Sequence, residues 1–290
     1  MEIFSSLQIV NDLINEGDDE GARNELIQVL DKYNNEETQY GELINSLVRK
    51  VGLYPYIDKS TASWEERFIY EAFKVDVGAN KKLTLHREQS NVLNKLLSGQ
   101  SLAISAPTSF GKSFIIDSFI SIAKPRNIMI IVPTVALTDE TRRRIQQKFS
   151  EDYKIITTSE AELDEKNIFI FPQERAIHYV NDIDELDMLV VDEFYKASPA
   201  FDKERSPSLL KAIMRLGEKA NQRYFLAPNI SDLAESFFTK GMEFIEINFN
   251  TVFLEKHEMF KEINAIPSKQ GRYSPPPTPK APPAPKKPNE

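Results

Sequence analysis

Cysteine is absent from the 290 residues, which excludes disulfides, thiolate zinc sites and cysteine nucleophiles together. Histidine occurs three times, and His86, His178 and His257 have no metal-ligand spacing among them. No stretch approaches the ~20 consecutive apolar residues that a membrane-spanning helix needs. The opening, MEIFSSLQIVNDLINEGDDEG, has neither a basic leader nor a continuous apolar core. A cytoplasmic protein without membrane contact is the expectation. Positive charge is also in deficit: 36 Lys and Arg face 44 Asp and Glu, a net charge of −8. That balance argues against blanket attraction to nucleic acid or anionic lipid, so any polyanion site must be a local basic patch.

What is present divides into three textures. Residues 1–80 carry apolar positions at helical spacing: Ile3, Phe4, Leu7, Val10, Leu13 and Ile14, then Leu26, Leu30 and Tyr33, then Tyr40, Leu43, Ile44, Leu47, Val48 and Val51. Gly52 is placed to stop the third helix, and Ser63 followed by Glu66 forms a capping box that opens a fourth. Trp64, Phe68 and Phe73 on that fourth helix are expected in a core. A small helical domain over 1–80 follows. Residues 81–255 alternate short Ile- and Val-rich runs with helix-period segments, the runs falling at 102–106, 127–132, 153–157, 168–171, 187–191, 223–227 and 244–249. That alternation predicts an α/β domain with a parallel sheet and helices on both faces. Residues 256–290 form a linker and a basic tail. Its end, PSKQGRYSPPPTPKAPPAPKKPNE, has too few large apolar residues for a core and reads as disordered or polyproline-like.

The chemistry concentrates in LAISAPTSFGKSFIIDSF, residues 102–119. Ala106, Pro107, Thr108, Ser109, Phe110, Gly111, Lys112 and Ser113 match the phosphate-loop pattern, with alanine replacing its first glycine. A strand-to-helix turn of this kind aims backbone N–H groups at the phosphates of ATP; Lys112 adds a mobile charge and Ser113 can ligate Mg2+. The bland alternative is an ordinary loop with a solvated lysine, but the predicted strand before it and helix after it favour the phosphate reading. In DMLVVDEFYK the apolar run delivers Asp192 and Glu193 to the carboxyl end of a strand, where ligands of α/β sheets bind. Asp192 suits the magnesium shell, and Glu193 suits the catalytic base that polarises water.

In this order the chain resembles the first RecA-like domain of superfamily-two helicases, the class that contains the DEAD-box and DEAH-box enzymes. LHREQ looks like the adenine-reading Q motif, with Arg87 and Gln89 upstream of the phosphate loop. IVPTVALTDE is similar to motif Ia, whose Pro133–Thr134 turn would touch a nucleic-acid backbone. FPQER looks like motif Ib, with Arg175 as its phosphate contact. FLAPNIS places Ala227, Pro228 and Asn229 where that family couples hydrolysis to motion. TRRRIQQK sets Arg142, Arg143, Arg144 and Lys148 on the helix after motif Ia; such runs are commonly a solvated face, and the functional reading is phosphate contact by Arg142 and Arg143. The wording SAPTSFGKS with VVDEFYK, behind a helical segment, is also similar to bacterial anti-phage helicases of the Hachiman type. That resemblance implies a nuclease-like effector subunit as partner.

The resemblance implies an ATP-binding motor half acting on DNA or RNA. Two departures bear on it. Asp-Glu-Phe-Tyr is neither the DEAD nor the DEAH ending, and Tyr195 stands where the family links hydrolysis to its coupling motif. The stretch after the last predicted strand is too short for a second RecA-like domain, so that domain and its arginine fingers are expected elsewhere. Gln270-Gly271-Arg272 lacks the surrounding elements that the family's last motif would need. Two other readings stay open: a phosphate-loop kinase or small NTPase, and a nucleotide-controlled binding module whose tail recruits a partner.

Overall fold

The computed structural model describes residues 2–33, 40–158, 160–228, 230–233 and 236–249. The proline-rich tail, His257, Arg272 and Asn229 lie outside these residues. Three helices open the chain: α1 (Glu2–Glu16), α2 (Asp19–Tyr33) and α3 (Gly41–Val51). Their apolar stripes meet at Leu7, Val10, Leu26, Leu47 and Val48, all buried. α3 stops at Gly52, as its sequence position implies. With φ of +81° this residue enters the left-handed region, and its N–H donates to the Arg49 carbonyl at 3.2 Å.

α4 (Trp64–Ala72) begins with the expected capping box: Ser63 N donates to Glu66 Oε2 at 2.8 Å, and Glu66 N donates to Ser63 Oγ at 3.3 Å. The box turns Glu66 inward. Ile69, Tyr70 and Phe73 continue that stripe at i+3, i+4 and i+7 and pack on the core. Trp64 and Phe68 lie off the stripe, so the expectation that they are core residues is corrected: they are 77% and 68% exposed. A hairpin of β1 (Lys74–Asp76) and β2 (Lys82–Thr84) follows, its three-residue strands too short to show as alternation in the sequence.

The remaining elements are α5 (Arg87–Leu97), β3 (Leu102–Ser105), α6 (Lys112–Ala123), β4 (Asn127–Val132), α7 (Val135–Phe149), β5 (Lys154–Ile156), β6 (Asn167–Pro172), α8 (Gln173–Ala176), β7 (Leu186–Val191), α9 (Ser206–Gly217), β8 (Ala220–Ala227) and β9 (Glu243–Glu246). All seven expected strands form, and they pair in parallel in the order β5-β6-β4-β7-β8-β3-β9. Successive side chains point to opposite faces. Ile104, Ile130 and Val190 face a core shared with α5, α6, α7 and the N-terminal helices. Ala103, Ile131 and Val191 face a second core closed by α8 and α9. This parallel sheet with helices on both faces is the expected α/β architecture, and a helical region precedes it.

Phe249, just beyond β9, ties these regions together. Its buried ring centroid lies 5.1 Å from that of His86 and 6.3 Å from that of Phe110 in the phosphate turn. The Arg23 guanidinium of α2 sits 4.9 Å from the same ring and donates to the Asn248 carbonyl at 2.9 Å. Burial lowers the His86 ring to about pKa 4, which keeps it neutral in this apolar setting.

A Cβ on Gly52 would lie 2.7 Å from Arg87 Cβ in addition to straining the backbone. Gly52→Ala is expected to destabilise the fold by about 2 kcal/mol, from the left-handed conformation and the clash combined. A lower urea midpoint at unchanged slope is the result that checks this.

Candidate nucleotide and nucleic-acid site

The phosphate-loop residues form the link between β3 and α6. Ala106 N donates to the Ala227 carbonyl at 2.9 Å, so the loop starts pinned to the end of β8. Thr108–Phe110 make a single 3-10 turn, and Gly111, at φ of +75°, reverses the chain into α6. A side chain at Gly111 would meet Gln89 Nε2 at 2.8 Å, a close approach that only glycine allows. Lys112 Nζ donates to the Ala106 carbonyl at 3.0 Å, curling over the loop. Burial depresses its pKa, against the opposing pull of Asp192 and Glu193. Ser113 stands exposed at the start of the helix.

β7 brings Asp192 and Glu193 to the same rim. Lys112, Ser113, Asp192 and Glu193 border one cavity of about 220 Å³, together with Thr108, Arg144 and Pro228. Asp192 N donates to the Ile131 carbonyl at 2.9 Å, and Asp192 Oδ1 accepts from Glu193 N at 3.0 Å. Burial raises the Asp192 carboxyl above its ordinary range, with Lys112 as the main opposing influence. On neighbouring β8 the Tyr224 hydroxyl is buried without a hydrogen-bond partner among the described residues. Glu193 has φ of +52°, a left-handed conformation that a non-glycine residue holds only where its surroundings enforce it. Lys196 Nζ lies 2.5 Å from Glu193 Oε2. Tyr195 packs edge-on against Phe201, ring centroids 5.2 Å apart.

The Q-like residues face the protein. Gln89 accepts from His86 N at 3.0 Å and donates to the Phe110 carbonyl at 2.7 Å, so both ends of its amide are engaged and it braces the phosphate turn. Arg87 donates to the Lys50 carbonyl at 3.2 Å and pairs with Glu88 and Asp19, tying α5 to the N-terminal helices.

The basic run divides by helical phase. Arg142 pairs with Asp139 at 2.7 Å, and Arg143 pairs with the same carboxylate. These two ion pairs hold Asp139 below the usual carboxylate range, the hydrogen bond from Arg142 contributing most. Arg144 and Lys148 turn inward to Asp117 on α6. Thr134 caps α7, its Oγ1 accepting from Leu137 N at 3.2 Å, and it is exposed beside Val135. Arg175 is exposed and donates to the Thr157 carbonyl at 2.7 Å. No group of three or more His, Asp or Glu with metal-site geometry occurs among the described residues.

The family described as "Anti-bacteriophage protein B N-terminal domain" matches residues 1–67, and "DEAD/DEAH box helicase" matches residues 86–227. Residues 86–227 thus resemble a DEAD/DEAH box helicase domain over just under half of the chain. The chain is also similar to Anti-bacteriophage protein B of Escherichia coli (strain K12), at 32% identity over 236 residues. The match covers 75% of this chain and 31% of that relative, so the chain spans less than a third of the relative's length. The resemblance to anti-phage helicases read from the motif wording agrees with this relative. Among solved structures, the chain is similar to the UvsW helicase from bacteriophage T4, with a TM-score of 0.43 and 16% identity over 64% of this chain and 72% of that one. The DUF1998 helicase MrfA bound to DNA gives 0.44 and 16% over 59% and 26%. The Sulfolobus solfataricus SWI2/SNF2 ATPase core in complex with dsDNA gives 0.40 and 15% over 49% and 30%.

The α/β domain also uses a residue that no local motif announces. Arg205 Nη1 donates to the Pro133 carbonyl at 2.5 Å, while its Nε and Nη2 grip both oxygens of Glu174 at 2.8 and 3.0 Å. It thus fastens the motif Ia-like turn to the motif Ib-like segment. Its partners lie far away in sequence, so spacing gives no sign of it.

Between the ordinary carboxylate range and the raised value of Asp192, the folded protein binds more protons than the unfolded chain. Ionised Asp192 therefore costs stability at neutral pH, and the cost vanishes in acid. Asp192→Asn is expected to raise Tm of the ligand-free protein at about pH 7, with the gain shrinking toward about pH 4. Thermal melts of both proteins across that range check the sign.

Proposed function

We propose that the chain is the ATP-binding motor half of a nucleic-acid-dependent helicase or translocase in anti-phage defence, with the helical segment 1–80 preceding a RecA-like domain over 81–255. The observation that carries this is the single cavity bordered by Lys112, Ser113, Asp192 and Glu193 at the carboxyl ends of β3 and β7. Lys112 neutralises charge on the β- and γ-phosphates, which requires it to leave the Ala106 carbonyl. Gly111 and the N–H groups that open α6 supply backbone donors to the same phosphates.

Ser113 and Asp192 are the residues that would hold Mg2+, and the half-buried Asp192 carboxylate on the same cavity as the exposed Ser113 hydroxyl fits a hydrated divalent cation. When bound, that ion would supply positive charge that offsets the charge of the phosphates. Glu193 orients water and accepts its proton, its carboxylate exchanging Lys196 for that task. Ala227 and Pro228 stand at the rim in the place of a coupling motif. An arginine finger, worth about 10³ to 10⁵ in rate, would come from a second RecA-like domain outside these 290 residues. By itself the chain is therefore expected to bind ATP and hydrolyse it slowly, while Glu193→Gln keeps binding and removes the residual turnover. Turnover by the wild-type chain at full helicase rates with single-stranded DNA would contradict this account.

Replacing Lys112 with Ala should weaken ATP binding by about 1.5–3 kcal/mol, the cost of a lost charged hydrogen bond, or about ten- to a hundredfold in Kd. Calorimetric titration checks the value, and unchanged affinity sinks the assignment.

DNA or RNA is proposed to lie across the Pro133–Thr134 turn, with Arg142, Arg143 and Arg175 meeting backbone phosphates after exchange of their present partners. Neutralising Arg142 and Arg143 should weaken binding without regard to sequence and flatten the salt dependence by about 0.7 log units for each phosphate that is no longer neutralised. A slope equal to that of the wild type would remove both residues from the interface. A nuclease-like effector subunit is the proposed protein partner, in the cytoplasm.

A further inference from the structure

Asp117 is fully buried on α6, one helical turn beyond Ser113. A buried carboxylate is tolerated only when it is paired. Its partners are Arg144 and Lys148, one turn apart on α7; Lys148 Nζ approaches Asp117 Oδ2 to 2.6 Å, and Arg144 Nη1 reaches Oδ1. Arg144 Nη1 also donates to the Ser113 carbonyl at 3.3 Å and borders the same cavity as Lys112, Asp192 and Glu193. One guanidinium therefore touches both the first turn of the phosphate-loop helix and its buried carboxylate.

The other end of α7 is the turn proposed to meet nucleic acid, buried at Pro133 and exposed at Thr134. Thr134 caps it, and the Pro133 carbonyl before it is held by Arg205, which grips Glu174 in turn. Arg144 stands ten residues beyond Thr134, about 15 Å along a continuous helix. A helix is stiff over that distance, so α7 is a rod clamped to the two phosphate-facing loops at its start and to α6 by a buried ion triad further along. Displacement at the start cannot be absorbed at Asp117, because leaving that carboxylate unpaired is strongly destabilising.

We infer that Asp117, Arg144 and Lys148 are positioning residues that link nucleic-acid engagement at the start of α7 to the setting of Ser113 in the nucleotide site. The link rests on the proposed function. By linkage it acts in both directions: ATP changes the affinity for a single strand by the same factor as the strand changes the affinity for ATP.

The test is a thermodynamic cycle on the full chain. Binding of a labelled oligothymidylate is followed by anisotropy with and without Mg·ATP, and ATP binding is followed by calorimetry with and without the strand. The wild type should show a coupling factor of about five- to 150-fold. Asp117→Leu, Arg144→Met and Lys148→Met together replace the triad by apolar side chains, an exchange that buried ion pairs commonly tolerate. That variant should show a coupling factor near one, measured against its own single-ligand affinities. Coupling retained in the triple variant overturns the link, as does a wild type that binds both ligands without coupling. Arg144→Lys is the second arm should the triple variant not fold. It keeps the charge near Asp117 but ends one atom short of the position from which Arg144 Nη1 reaches both Asp117 and the Ser113 carbonyl, so it should lower the factor several-fold, and an unchanged factor overturns the link. A wild type that binds neither ATP nor the strand overturns the proposed function itself, and the link with it.

Discussion

Because helices cover both faces of the parallel sheet, the middle of its strands is mostly apolar and charge gathers where they end, and the site depends on that constraint. Ile104, Ile130 and Val190 leave one face no room for charge, and Ala103, Ile131 and Val191 do the same on the other. Lys112, Asp192 and Glu193 therefore gather where β3 and β7 run out, on either side of β8. Burying part of each charge there shifts Lys112 down and Asp192 up, each group moderated by the other. A rim of this kind trades fold stability for readiness to accept charged ligands. The left-handed backbone of Glu193 adds a second local cost in the same place.

Much of this architecture is legible in the sequence because its determinants are local. Gly52 stops α3, Ser63 and Glu66 cap each other, and the strand-turn-helix around Gly111 lies within one unbroken stretch. Strands such as β3, β4 and β6 are legible from apolar runs because they are buried along nearly their whole length. Trp64 and Phe68 depart from expectation because a nine-residue helix offers too few positions to fix which stripe is buried, and the cap bond to Glu66 settles the phase. Arg87 and Gln89 carry the right residue types, but their hydrogen bonds run to Lys50 and Phe110, contacts set by tertiary packing. Arg205 is invisible in the sequence for the same reason.

The arginine run shows how three adjacent identical side chains acquire different duties. Helical phase turns Arg142 and Arg143 toward Asp139 and solvent, while Arg144, one residue further, faces α6. Composition treats the three as one basic patch. A turn of 100° per residue does not, and of the three only Arg142 and Arg143 hold their charge on the outer side of the helix.

Phe249 has a bearing on cooperativity. Its ring touches His86 and Phe110, and Arg23 lies over it, so helix α2, the entry to α5 and the phosphate turn share one apolar interior. Among the described residues, denaturation then finds no seam along which the N-terminal helices could melt while the sheet stays closed. Residues 2–249 should open as a single foldon, with a calorimetric enthalpy equal to the van't Hoff value.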